Sequence, residues 1–198
     1  MKISEMSGKL KGFASINTNT LSNEFCSAMR KTDAVCRQCY SAAMLNTFRK
    51  GCITPWERNS GELSSSLIPM DKLPVINAHS FRLHSHGELI NDVHLHNFVN
   101  IARKNPFTTF ALWTKRKNLV TRQVRNHGQI PSNLIMIYSN PNTQRMLNKV
   151  PANFNKVFNV SDSGEVKGGQ FECTGKSCID CMACYRINEH TIVVEKIR

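Results

Sequence analysis

The chain has 198 residues, which suits one domain with a sizeable core. Hydrophobic residues make up 40% and charged residues 20%, which excludes a disordered or fibrous protein. No run approaches the roughly 18 apolar residues of a membrane span, and the 26 Lys and Arg against 14 Asp and Glu give a formal charge of +12, a balance that suits polyanionic partners, nucleic acid first.

In chain order, residues 1–24 are polar and rich in Asn, Ser and Thr, with one short apolar piece around Phe13. Their polar, Lys-bearing start argues against a secretory signal, so a reducing cytoplasm is the expected setting. Residues 40–50 carry Tyr40, Ala43, Met44, Thr47 and Phe48 at helical spacing and stop at Gly51. Pro55 suits the start of a second helix reaching about Leu67, before Pro69. Val75 to His84 reads as a strand. Residues 91–104 place Leu95, Phe98, Val99 and Ala102 on one helix face, opened by Asn91 or Asp92. Phe107 to Thr114 is strand-like, Lys117 to His127 is helical and closed by Gly128, and Leu134 to Ser139 is an apolar run of strand length. Pro141 begins a short helix to about Lys149, and Lys156 to Val160 is another strand.

This βαβαβαβ order calls for parallel strands with right-handed crossovers. An open parallel sheet or a partial (incomplete) α/β barrel fits, and the partial barrel is the expected form. Past Val160 the pattern changes to Gly164, Gly168 and Gly169, then a cysteine segment, then a final strand from Thr191 to Ile197. The expected organisation is a single domain over 1–198. An N-terminal cysteine segment with helices covers 1–70, the core covers 71–162, and a C-terminal cysteine segment with the final strand covers 163–198.

The eight cysteines are the strongest signal. In a reducing compartment they are not expected to form disulfides. Cys36 and Cys39 form a C-x2-C pair, with Cys26 upstream. Cys173, Cys178, Cys181 and Cys184 read C-x4-C-x2-C-x2-C. A two-residue gap lets two thiolates converge on one ion or cluster, and zinc sites use such pairs. Cys178, Cys181 and Cys184 repeat the bacterial ferredoxin spacing, in which three sulfurs grip three irons of one cubane. The spacing therefore favours a 4Fe–4S cluster over zinc, the alternative. The fourth ligand stays open among Cys173, Cys36 and Cys39, and either of the last two would tie the chain's two ends together. Seven grouped thiols are too many for one cubane and one short of two, so a second site with an open iron, a separate zinc or spare structural thiols all stay open. Cys52 stands alone and reads as an ordinary core cysteine.

In both architectures a ligand site lies at the carboxyl ends of the strands. The first strand ends in His84-Ser85-His86-Gly87-Glu88, the second in Thr114-Lys115, the third in Ser139-Asn140 and the fourth in Ser161-Asp162. His84, Glu88 and Lys115 are the candidate catalytic set, able to bind a polar ligand or move protons. On an extended backbone His84 and His86 would share a face and could bind a metal. His79, His94, His96, His127 and His190 lack a partner pattern and read mostly as surface histidines. Arg30, Lys31 and Arg37 surround the first cysteine group, with reason to offset an anionic cluster. Arg116, Lys117, Arg122 and Arg125 lie at and after the second strand, but aromatics interleaved for base stacking are scarce.

Several pieces together carry a family likeness: Cys26, Cys36-Arg37-Gln38-Cys39-Tyr40-Ser41-Ala42, Trp56-Glu57-Arg58-Asn59, Phe81 through Glu88, Ala102-Arg103-Lys104-Asn105-Pro106, Trp113-Thr114-Lys115 and the final cysteine run. From about Cys26 to Tyr185 the chain resembles the phage-encoded "gene product 88" family. That resemblance implies a phage origin and thus the cytoplasm of the infected host cell, an α/β core and an iron–sulfur centre, but it supplies no reaction. The chain departs from the family pattern at His86, Glu88, Ser27 and Thr174. The C-x3-C-x2-C signature of radical S-adenosylmethionine enzymes is absent, because Thr32 stands four residues before Cys36. The leading expectation is a 4Fe–4S protein in which Cys36, Cys39, Cys173, Cys178, Cys181 and Cys184 are the candidate metal ligands. Its cluster would serve redox or radical chemistry on a small-molecule ligand near His84, Glu88 and Lys115. The alternative is a basic nucleic-acid-binding protein in which a cluster or zinc is purely structural.

Overall fold

The computed structural model describes residues 1–162 and 165–196. Gly164 and Ile197, the expected end of the final strand, lie outside the described residues. The frame is one eight-stranded sheet in the order β1-β2-β3-β4-β5-β6-β8-β7. β1 (Ile3–Glu5) and β2 (Ala14–Ile16) pair antiparallel. All other neighbours are parallel: β3 (Ser80–Leu83), β4 (Thr109–Thr114), β5 (Leu134–Ser139), β6 (Lys156–Ser161), β7 (Phe171–Glu172) and β8 (Ile192–Lys196).

Of the two expected architectures, the molecule adopts the open sheet; it does not close into a barrel. Its outer strands, β1 and β7, are three and two residues long and pair only with β2 and β8. Barrel closure needs outer strands that hydrogen-bond to each other. No helix among the described residues is long and apolar enough to cross a membrane.

The long connection from β2 to β3 holds α1 (Glu24–Met29), α2 (Tyr40–Asn46) and α3 (Ile53–Ser65). α4 (Asp92–Lys104) links β3 to β4, and α5 (Lys117–His127) links β4 to β5. α6 (Cys178–Cys181) is a single turn in the C-terminal cysteine segment. α4 starts where the sequence predicts, because the Asn91 side chain accepts from His94 N–H at 3.0 Å. α5 stops at Gly128, whose φ of +78° suits a residue without a Cβ.

Two expected elements form differently. Residues 141–149 are not helical. Asn142 Oδ1 accepts from Gln144 and Arg145 N–H at 2.9 Å each, and Asn140 Nδ2 donates to Arg145 O at 2.8 Å. These side chains take backbone groups that a helix would need. The strand beginning at Val75 starts only at Ser80. Ile76 N–H goes to Asn105 Oδ1, and the Thr108 hydroxyl binds the Ile76 and Ala78 carbonyls, so that stretch is satisfied by side chains rather than by a ladder.

Side-chain alternation gives the sheet two unlike faces. Phe81, Leu83, Phe110, Leu112, Leu134 and Met136 pack with Leu63 of α3, Leu95 and Phe98 of α4, and Leu119 and Val120 of α5. The intervening residues Ala111, Ile135 and Ile137 face the other way. They pack with Phe13 and Tyr185, which stack at 4.6 Å, and with Cys178, Met182 and Cys184. α3, α4 and α5 thus cover one face, and the C-terminal cysteine segment covers the other.

Candidate functional site: a thiol-lined cavity

A cavity of about 750 Å³ opens on the cysteine face and runs to the carboxyl ends of β3, β4 and β5. Seven of the eight cysteines line it: Cys26, Cys36 and Cys39 from the N-terminal third, and Cys173, Cys178, Cys181 and Cys184 from the C-terminal segment. Cys52 is not among the lining residues. His84, Glu88 and Lys115 also line it. The ligand region expected at the strand ends therefore extends over the face of the sheet.

The thiols form two sets. Cys26 feels the charge of Cys39 and Cys36, together with Glu88 and Lys115. Cys184 feels Cys173 and Cys178, and Cys178 feels Cys173 and Cys181. Cys173 and Cys178 thus each lie within electrostatic reach of the other three C-terminal thiols. Among the described residues, no three His, Cys, Asp or Glu are arranged to hold a single metal ion. What the chain offers is two thiol-bearing walls around a large space, and thiolates are the donors that both iron–sulfur clusters and structural zinc take. Burial pushes the thiols of Cys26 and Cys184 up to about 12. Metal binding there would release protons, since the thiolate is the ligand.

Each set has its own cationic neighbours. Arg82 projects from β3 onto the cysteine face, with its guanidinium 3.7 Å from the centre of the Trp113 ring. Its charge lowers the thiol pKa values of Cys178 and Cys184, against the larger upward effect of burial. Lys9 pairs with Glu195 at 2.6 Å and lies near Cys173 and Cys178. On the N-terminal side the half-buried Lys115 donates to Ser139 Oγ at 3.1 Å. Burial alone would lower its pKa; Cys36, Glu88, Tyr40 and Cys26 outweigh it and keep the ammonium charged. Arg82 and Cys26 are site residues absent from the sequence-derived set. The signals were present: Arg82 is the one charged residue in a buried alternation, and Cys26 lies near a C-x2-C pair.

Glu88 is held rather than free. Its carboxylate accepts from Thr114 Oγ1 (2.6 Å), Leu89 N–H (2.8 Å) and Lys115 N–H (2.9 Å). It therefore fixes the end of β4 and places Lys115. The two histidines part company. His84 has φ +61°, which breaks the extended backbone that would have put it on one face with His86. His84 contacts His94 and Phe98 at ring distances of 4.9 Å, and its Nε2 meets Thr18 Oγ1 at 3.2 Å. His86 packs on Trp56 at 4.6 Å, and its Nδ1 meets Ser41 Oγ at 2.9 Å. They make no metal pair. His94, expected at the surface, is fully buried.

Asn17 holds this loop. Its Oδ1 accepts from Ser85 N–H (3.0 Å), Ser85 Oγ (2.8 Å) and His86 N–H (3.0 Å). Asn17→Ala leaves buried donors unpaired and is expected to cost about 3 kcal/mol in urea denaturation. Acid should act on the buried imidazoles. Burial pushes His86 and His94 down to about 3 from 6.5. Unfolding lets them take up protons, so their stabilising share is complete above pH 6.5 and is lost as pH falls toward 3. A His94→Leu variant should show a shallower decline of denaturation midpoint over that window than the parent chain.

The fold and the cavity define a class: a singly wound α/β protein with an open sheet, one face of which carries a thiol-lined cavity. Residues 70–184, more than half of the chain, match the family model Gene product 88. The chain therefore belongs to the gene product 88 family. No curated protein and no solved structure gives a match.

Proposed function

We propose that the chain is a phage-encoded iron–sulfur protein of the host cytoplasm, with a 4Fe–4S cluster serving redox or radical chemistry on a small ligand in the cavity. The observation that carries this reading is the gathering of seven thiols from both parts of the chain around one space. Cys173, Cys178, Cys181 and Cys184 supply the four thiolates that a 4Fe–4S cluster takes. The cluster, when bound, supplies one-electron chemistry. Arg82 and Lys9 offset the negative charge of the thiolates, and Trp113 and Tyr185 set aromatic rings in that part of the cavity wall. Lys115, set by Glu88 and Ser139, offers a cation to an anionic part of the ligand, and His84 forms part of the wall.

Anaerobic purification tests this reading. A brown protein with absorbance near about 400 nm, iron and acid-labile sulfide supports it. A colourless protein loaded with zinc, the alternative metal, refutes it. The charge of +12 favours a second reading as a nucleic-acid-binding protein with a structural metal. In that case affinity for nucleic acid falls steeply with salt, and no gel retardation at low salt ends it.

A further inference from the structure

The N-terminal thiols carry a step beyond this, which rests on the iron–sulfur reading above. Three separate pieces of chain bring them to the cavity. Cys26 lies in α1, and its N–H is held by the capping Asn23 side chain at 3.1 Å. Cys36 lies in the 3-10 turn Val35–Gln38, and Cys39 caps the start of α2. That turn is docked on the loop after β5 through Val35 N–H to Pro141 O at 2.8 Å. All three thiols line the cavity together with Lys115. The neighbours that act on them are one another, Glu88 and Lys115, whereas Arg82 and Lys9 act on the C-terminal set. Two thiol sets, each with its own cationic neighbours, border a space far larger than one ion fills.

We propose that Cys26, Cys36 and Cys39 hold a second iron–sulfur cluster, separate from the one on the C-terminal cysteines, with one iron left open to an anionic ligand beside Lys115. Three thiolates are one short of the four that a closed cubane takes. Glu88 is the nearby carboxylate, and its oxygens are already engaged by Thr114, Leu89 and Lys115. The protein thus leaves the fourth position for an exogenous group. Lys115 is the half-buried cation on that wall, so an anion is the ligand it favours.

The test uses the full chain, reconstituted anaerobically with ferrous iron and sulfide. Two clusters give about eight irons and about eight sulfides per chain. A Cys26→Ser/Cys36→Ser/Cys39→Ser variant should hold half as much and keep the absorbance of the first cluster. Cyanide, as a probe of the open iron, should change the electron paramagnetic resonance spectrum of the reduced parent chain but not that of the triple variant. Lys115→Met should keep the full iron content and weaken the cyanide response. About four irons in the parent chain, all retained by the triple variant, would overturn the second cluster and leave the first in place. Zinc in the N-terminal set would overturn it equally. No iron in the parent chain would refute the iron–sulfur reading itself. If the triple variant fails to fold, the parent chain's iron count decides.

Discussion

Gly87→Ala is expected to destabilise the chain by about 3 kcal/mol or more and to disorder the loop from His84 to Glu88. Gly87 has φ +97°, a backbone conformation that side-chain-bearing residues avoid. A Cβ there would lie 2.1 Å from Thr18 Oγ1 and 2.8 Å from the Thr18 carbonyl oxygen. The backbone cannot easily retreat, because Thr18 N–H donates to His86 O at 3.2 Å and Asn17 holds Ser85 and His86. The damage should therefore reach the cavity, since Glu88 and Lys115 are placed from this loop. Urea denaturation of Gly87→Ala beside the parent chain measures the loss. A change within about 0.5 kcal/mol, the range of ordinary surface substitutions, would contradict the close approach.

The second large effect concerns the metal. Cys184→Ala is expected to abolish iron bound at the C-terminal set, while Cys52→Ala keeps the parent content. Cys184 lines the cavity and packs with Phe13, Ala111 and Tyr185 on the cysteine face, whereas Cys52 lies in a 3-10 turn before α3 and does not line the cavity. Iron and sulfide analysis of the two variants, prepared side by side, checks this contrast. Equal iron in both would remove Cys184 from the ligand set.

Much of the central sheet was legible because its strands are buried on both faces and its helices on one. Leu134–Ser139 and Lys117–His127 form at the predicted residues, the first as a continuous apolar run, the second as a periodic segment closed by glycine. The stretch from Pro141 misled because its start resembles a helix start. The asparagines at 140, 142 and 159 decide it, and what they bind is set by neighbours in space: Asn159 Oδ1 accepts from Leu147 N–H at 2.9 Å and from Asn140 Nδ2 at 2.9 Å. β1, β2 and β7 escaped notice because two or three residues carry no measurable alternation. The same short strands leave the sheet open, so the barrel question hung on the pieces with least signal.

The candidate site was legible in part. The two cysteine groups stood out by spacing, and the structure brings both to one cavity with His84, Glu88 and Lys115. Whether the group of three and the group of four share ligands was not readable, because it depends on how α1, α2 and the C-terminal segment dock on the sheet. The pairing of His84 with His86 failed for a local reason. One left-handed residue reverses the face that alternation assigns, and no pattern of residue types announces it.

Diffraction from anaerobically grown crystals, collected on both sides of the iron absorption edge, tests the central claim most directly. The account predicts anomalous iron density inside the cavity, bonded to the sulfurs of Cys178, Cys181 and Cys184, with Cys173 as the fourth ligand. A cavity without iron density, or iron bound away from these thiols, would contradict it.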